Sequence, residues 1–273
     1  MCMKKLFVSI LAVCALIGCQ RTSDDVLVKT TEYTYEDYYA LAEGRADSLH
    51  ISIAMEFPTA MKNADVLPTV QQTILAEVFG DAYQNMDIKQ AIEAFTAMLK
   101  TEYKQNNLPA LEENLQARGE VLDAIFPEEQ IITSMVMNVH DHIMSYAVER
   151  YIYMGGAHGS NYRIFYNLDL NTGALIHEAD MFNEGYAEPL TELLLQNMVA
   201  QNEEIQLIED LKEYGYNVDE ILPNDNFFFT DSCMVYVFNQ YEIAPYALGE
   251  TEIAISFDQL SSLLKPSFEI KAE

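Results

Sequence analysis

Cysteine is scarce: four residues in a chain of 273. Cys2 and Cys14 fall in an N-terminal segment that reads as removed on export, and Cys19 directly follows that segment. Only Cys233 remains in the body of the chain, which excludes an internal disulfide framework despite an oxidising address. Basic residues are also few. Fifteen Lys and Arg face 43 Asp and Glu, a formal charge of −28. That balance argues against nucleic acid and against adsorption to anionic headgroups, and favours solubility or basic partners. There is no internal repeat or low-complexity tract. No GxSxG, HExxH, Walker or dinucleotide-binding signature occurs either.

What is present begins with an export signal. Lys4 and Lys5 precede an apolar run, Leu6–Ile17, too short for an ordinary membrane span. The run ends in Leu16-Ile17-Gly18-Cys19, which resembles a bacterial lipobox. That resemblance implies lipidation of Cys19 and anchoring by acyl chains rather than by a helix. Residues 1–18 are then the signal peptide and 19–45 a polar tether. Asp24-Asp25 resembles the acidic signal of some surface lipoproteins. The expected address is the envelope, lipid-anchored and on the outer membrane, on either its periplasmic or its surface side.

Half the residues are apolar, enough for a sizeable core. His50–Phe57 alternates strictly, a strand ended by Pro58. Val70, Ile74 and Val78 mark a helix between Pro68 and Gly80. Ile88, Ile92, Phe95 and Leu99 mark a second, broken by Asn106-Asn107 and Pro109, with a third over Leu111–Phe126. Ser134–Val139 follows as a strand. Later come a helix beginning near Pro189, a helical piece with Ile205, Ile208 and Leu211, and a hairpin of Phe227–Thr230 with Cys233–Phe238. Thr251–Phe257 is the last strand, with Asp258 capping a short helix. This order predicts an α+β fold, mainly antiparallel sheet with helices packed on it, in two consecutive modules.

The centre of the pattern is Tyr151–Phe182. Gly155, Gly156 and Gly159 surround His158 between two alternating runs, and at least one of the first two glycines is expected at positive φ. On the second run, Tyr162, Ile164, Tyr166, Leu168 and Leu170 share one face, and Arg163, Asn167 and Asp169 the other. Asn171-Thr172-Gly173 is a further turn. The run GGAHG, with NLDLNTGALIHEADMF after it and NFFFTDSCMVYVFNQYEIAPYALGETEIAISFDQL downstream, resembles the RsiV-like secreted domain family (DUF3298). The resemblance covers about Met135–Pro266, with Met154 and Gln240 departing from the family's usual Thr and Pro. Residues 46–134 resemble the DUF4163-like domain often fused in front, which leaves 135–273 as the C-terminal domain. In that family one member binds lysozyme and others sit beside glycan deacetylase domains. The resemblance therefore implies a lysozyme-like protein or cell-wall glycan as partner.

No constellation reads as catalytic, and no cofactor or metal is expected. His158 suits a general base or a ligand, but no partner signature accompanies it, so a turn role is expected. His140 and His142 alternate as two ligands could, without further ligands in pattern. Cys233 reads as a small buried hydrophobe. The candidate contacts for a partner are Tyr153, His158, Tyr241, Glu242 and Tyr246, because exposed tyrosines anchor proteins and sugars at low entropic cost. The alternatives are an enzyme acting on glycan, marked by two carboxylates or His158 and a carboxylate in one cleft, and a structural envelope subunit.

Overall fold

The computed structural model describes residues 27–45, 47–118 and 126–268. Cys19 and residues 1–18, expected as an export signal, lie outside them. The fold is α+β. Strands β1 (Val28–Ala40), β2 (Ser48–Met61), β3 (Glu128–His140), β4 (Ile143–Tyr153) and β5 (Ser160–Asp169) follow one another in a five-stranded sheet. Helices α1 (Leu67–Phe79) and α2 (Ile88–Arg118) lie between β2 and β3 in the chain. Helices α3 (Glu178–Met181) and α4 (Ala187–Ala200) precede a three-stranded antiparallel sheet of β6 (Phe227–Phe229), β7 (Cys233–Phe238) and β8 (Thr251–Ser256). Helix α5 (Phe257–Leu260) closes the order.

The chain forms two compact units. The first holds the described residues up to Lys62 with Ile74–Thr133 and Arg150–Ser160; the second holds the rest, so β3 and β4 contribute to both. In the first unit Leu49, Ile51, Ile53, Met55 and Phe57 are buried, as the alternation of β2 requires. Val28–Ala40, expected as tether, is instead a strand paired along its length with β2. Its Thr, Tyr and Glu content hid it, because only part of each side chain is buried. Pro58 does not end β2. The pairing passes from Lys29↔Ala60 to Thr30↔Pro58, and this bulge at Thr59 carries the proline. Helix α2 also runs unbroken through Asn106, Asn107 and Pro109. The Asn107 amide bonds back to the Tyr103 carbonyl (3.0 Å) and to Glu128 (2.6 Å), so it supports the helix it was expected to interrupt. Gly80 ends α1 at φ 105°.

The glycine turn between β4 and β5 has Gly155 at φ 82° and Gly156 at φ 105°. Gly159 is required for another reason: a Cβ there would stand 2.5 Å from the Tyr151 ring. At the other end of the sheet a two-residue turn joins β3 to β4, with Asp141 at φ 52°.

In the second unit β5 is not polar on one face. Phe165 and Asn167 are buried beside Arg163 on the side expected to face water. The reason is a set of side-chain amides. Asn226 accepts from the Phe165 backbone N–H (2.9 Å) and donates to the carbonyls of Arg163 and Val237 (3.0 Å each). Asn239 accepts from the Arg163 N–H (2.6 Å) and donates to the same Arg163 carbonyl (3.0 Å). Asn167 donates to Phe227 O (2.8 Å) and accepts from Ser145 (2.7 Å), whose hydroxyl oxygen accepts from Phe229 N–H (3.0 Å). Around this set pack Ala147, Phe165, Phe228, Val235 and Val237. Ser256, not Asp258, caps α5 and closes a capping box with Gln259; Asp258 sits in the first turn.

Asn226→Ala removes three bonds at once and strands the buried Phe165 N–H, while the Arg163 and Val237 carbonyls keep Asn239 and Asn224 as donors. It should destabilise the fold by about 1–3 kcal/mol, the cost of one unsatisfied buried group, read as a fall in the urea midpoint. A midpoint unchanged from wild type would contradict the arrangement.

Candidate functional site

The loop from β7 to β8 begins at Asn239, already fixed by its amide. Ile243 is buried beneath it, and its carbonyl accepts from Asn217 N–H (2.7 Å). Glu242 turns back into the loop. Its carboxylate accepts from Asn239 N–H (2.9 Å) and from the Asn224 amide (3.4 Å), so it shapes the loop. Tyr241 is held at φ 70°, in the left-handed region that bulky residues avoid, and is 62 % exposed. Tyr246 opens a short 3-10 turn, Tyr246–Leu248, and is 37 % exposed; the two rings stand 5.6 Å apart, tilted by 35°. Leu248 is exposed beside them, within van der Waals reach of a Cβ placed at Gly215. Arg163 bridges Glu250 and Glu252 at the loop's far end and lies over the Phe165 ring.

Tyr153 and His158 belong to the first unit. The Tyr153 hydroxyl donates to Gly156 O (3.0 Å), closing the glycine turn, and the exposed His158 ring nitrogen lies 3.0 Å from Gly159 O. His140 and His142 have different surroundings. The first is buried against Phe257, its Nδ1 without a hydrogen bond, and the second is bonded to Asp141 in the turn. Among the described residues no group of three or more His, Cys, Asp or Glu could hold a metal, and no helix is long and apolar enough to cross a membrane. Cys233 is half-buried, not fully buried, at the head of β7.

One cluster has no counterpart in the sequence patterns. Glu178, at the start of α3, is 5 % exposed. Its oxygens accept from Asp225 N–H (2.9 Å) and the Tyr186 hydroxyl (3.0 Å). Asp225 answers with one oxygen on Glu178 N–H (2.8 Å) and the other on His177 Nδ1 (2.5 Å). Burial raises the Glu178 carboxyl above the usual range, against the lowering effect of its donors. The buried Tyr236 hydroxyl lies against the same carboxylate outside ordinary hydrogen-bond geometry; burial first, then the Glu178 charge, pushes its ionisation far up. Burial and then Glu178 likewise push the Tyr186 hydroxyl to about 12. The two carboxylates thus form a reciprocal clasp between α3 and the loop before β6. Partners 47 residues apart leave no local spacing to read; the one signal was the turn-forming Pro223-Asn224-Asp225, which brings Asp225 to φ 58°.

Residues 179–258 match the family model described as protein of unknown function (DUF3298), and residues 45–161 match the model described as deacetylase PdaC. Along the chain, a segment matching the PdaC model is thus followed by one matching the DUF3298 model. Over 146 residues the chain is 27 % identical to the peptidoglycan-N-acetylmuramic acid deacetylase PdaC of Bacillus subtilis. The match covers 50 % of this chain and 31 % of that protein, so the chain spans about a third of its relative. A crystal structure of a DUF3298 family member from Bacteroides fragilis has the same fold at TM-score 0.81 and 23 % identity, covering 87 % of this chain and 94 % of that one. A DUF3298 family protein from Pseudomonas aeruginosa aligns at TM-score 0.58 and 16 % identity, covering 89 % and 97 %.

The clasp makes a pH prediction. A buried carboxyl with a raised pKa adds stability that is fully present below the unfolded value, about 4.3, and is lost as pH rises through the folded value. Measured against Glu178→Gln, the wild type should gain relative stability as pH falls from 7 towards 4.3. Parallel melting curves for the two proteins across that range would contradict it.

Proposed function

We propose that this chain is a cell-envelope protein that binds cell-wall glycan without catalysis, through the loop Tyr241–Tyr246. The observation that carries the reading is Tyr241. A bulky side chain is held in a strained backbone conformation and shown to solvent beside a second tyrosine. Such strain persists only where the surroundings impose it, and it gathers at ligand sites. Two tilted rings with hydroxyl tips present an apolar face and polar edges, which matches a sugar ring's CH face and hydroxyl rim. The similarity to a protein named as a peptidoglycan deacetylase supports glycan as the partner class. Tyr153 and His158, at the glycine turn, are our second contact for the same class. Tyr241→Ala and Tyr246→Ala should each weaken retention on insoluble peptidoglycan about tenfold, the scale of one modest anchor, with the melting temperature kept. Retention equal to wild type in both variants would overturn the assignment.

A second reading has one observation in its favour. The charge of −28 would speed encounter with a basic, lysozyme-like protein. Calorimetry with lysozyme at about 0.15 M salt, where screening acts over about 8 Å, separates specific binding from adhesion.

The envelope address rests on Cys19 in its lipobox context. We expect the wild-type N-terminal peptide to carry a diacylglyceryl group at Cys19 by mass spectrometry, and Cys19→Ala to be released from membranes. An unmodified Cys19 would contradict this. Outer-membrane placement is part of the same proposal.

A further inference from the structure

We propose that the first unit carries a second, separate binding site, a cavity on helix α2 at Pro109 that takes a small carboxylate-bearing ligand. The cavity is a depression of about 410 Å³ open to solvent, with Thr101, Lys104, Gln105, Pro109 and Glu112 on its exposed walls. Its walls come from one face of α2 and from Tyr39 at the end of β1.

Three kinds of group meet there. Lys100 is fixed and neutralised: its ammonium bonds Asp37 (2.5 Å) and the Tyr35 hydroxyl (2.7 Å) and lies 5.9 Å from the Tyr39 ring centroid. Burial opposes that charge, but the Asp37 and Tyr35 contacts outweigh it and raise its pKa. Lys104, one turn on, lines the same cavity and makes no ion pair among the described residues. It supplies a cation in a chain where acidic groups outnumber basic ones almost three to one. Gln105 and Glu112 supply acceptors. Because Pro109 has no N–H, the Gln105 carbonyl lacks the helical bond it would receive from residue 109. Tyr39, Leu108 and Pro109 give an apolar wall.

A ligand that satisfies all three has a carboxylate for Lys104, N–H or O–H donors for Glu112 and the Gln105 carbonyl, and a ring or methyl face for the wall. A carboxylated N-acetyl sugar and the C-terminus of a short peptide both meet this description. The site is independent of the tyrosine loop, which lies in the other unit; only the choice of probes follows the cell-wall reading.

The test is titration of the full chain, by calorimetry or ligand-observed NMR, with N-acetylmuramic acid, N-acetylglucosamine and the dipeptide D-alanyl-D-alanine. The expected result is that at least one of the two carboxylates binds about tenfold tighter than N-acetylglucosamine, the scale of one charge-assisted contact. Whichever binds names the source. Lys104→Gln should erase that preference. Lys62→Gln, which removes the same charge from an exposed position elsewhere, should keep it. Tyr241→Ala should also keep it, which separates failure here from failure of the glycan reading. No binding of either carboxylate, equal binding of N-acetylglucosamine, or a preference surviving Lys104→Gln would overturn the proposal.

Discussion

In the second unit, buried side-chain amides do the work that a main-chain ladder does elsewhere. Strand β5 ends the five-stranded sheet, and its outward backbone groups at Arg163 and Phe165 need partners. Asn226 and Asn239 supply them, while Asn167 and Ser145 reach the other way to the backbone of β6. Each of these bonds contributes only about 1 kcal/mol net, but a missing one leaves a buried group unsatisfied at greater cost. The set therefore specifies one seating of β6 on β5, which a purely apolar contact would leave free to slide.

Both surface features of that unit hang from this arrangement. Asn239 begins the loop that displays Tyr241, and its own N–H is held by Glu242. Asn226 follows Asp225, which locks onto Glu178 at the start of α3. The loop is exposed and strained; in the clasp Glu178 is buried with both carboxylate oxygens satisfied, while Asp225 and His177 are exposed. Their chemistries differ accordingly. Rings held open to solvent can accept a flat, partly apolar partner, whereas the Glu178 carboxylate has no open face for one. In the first unit, Pro109 leaves a carbonyl without its helical partner on an otherwise regular helix, beside Lys104.

Local pattern made much of this legible. The alternation of His50–Phe57, the apolar run Cys233–Phe238, the Pro68 and Gly80 limits of α1, and the positive φ of Gly155 and Gly156 all follow from single-residue physics. Long-range chemistry was not legible. Asn226 stands out in no local pattern, and Asn167 reads as the polar side of a strand, because an amide is buried only when partners about 60 residues away meet it. Strand β1 lacks a clean apolar face. Helix α2 runs on through Pro109, and Asn107 bonds inward to Tyr103 and Glu128. The Glu178–Asp225 clasp joins the start of α3 to the loop before β6, which nothing in the sequence pairs. The exposure of Tyr241 was readable, but its left-handed backbone was not.

Native-state hydrogen exchange at the backbone N–H groups of Arg163, Phe165 and Phe229 tests the amide arrangement most directly. These groups are bonded only to side chains in the arrangement described here. If the amides hold β6 on β5 as an integral part of the core, the three should exchange as slowly as the ladder amides of β7, through global unfolding. Exchange at the rate of exposed loop amides, with β7 still protected, would contradict the account.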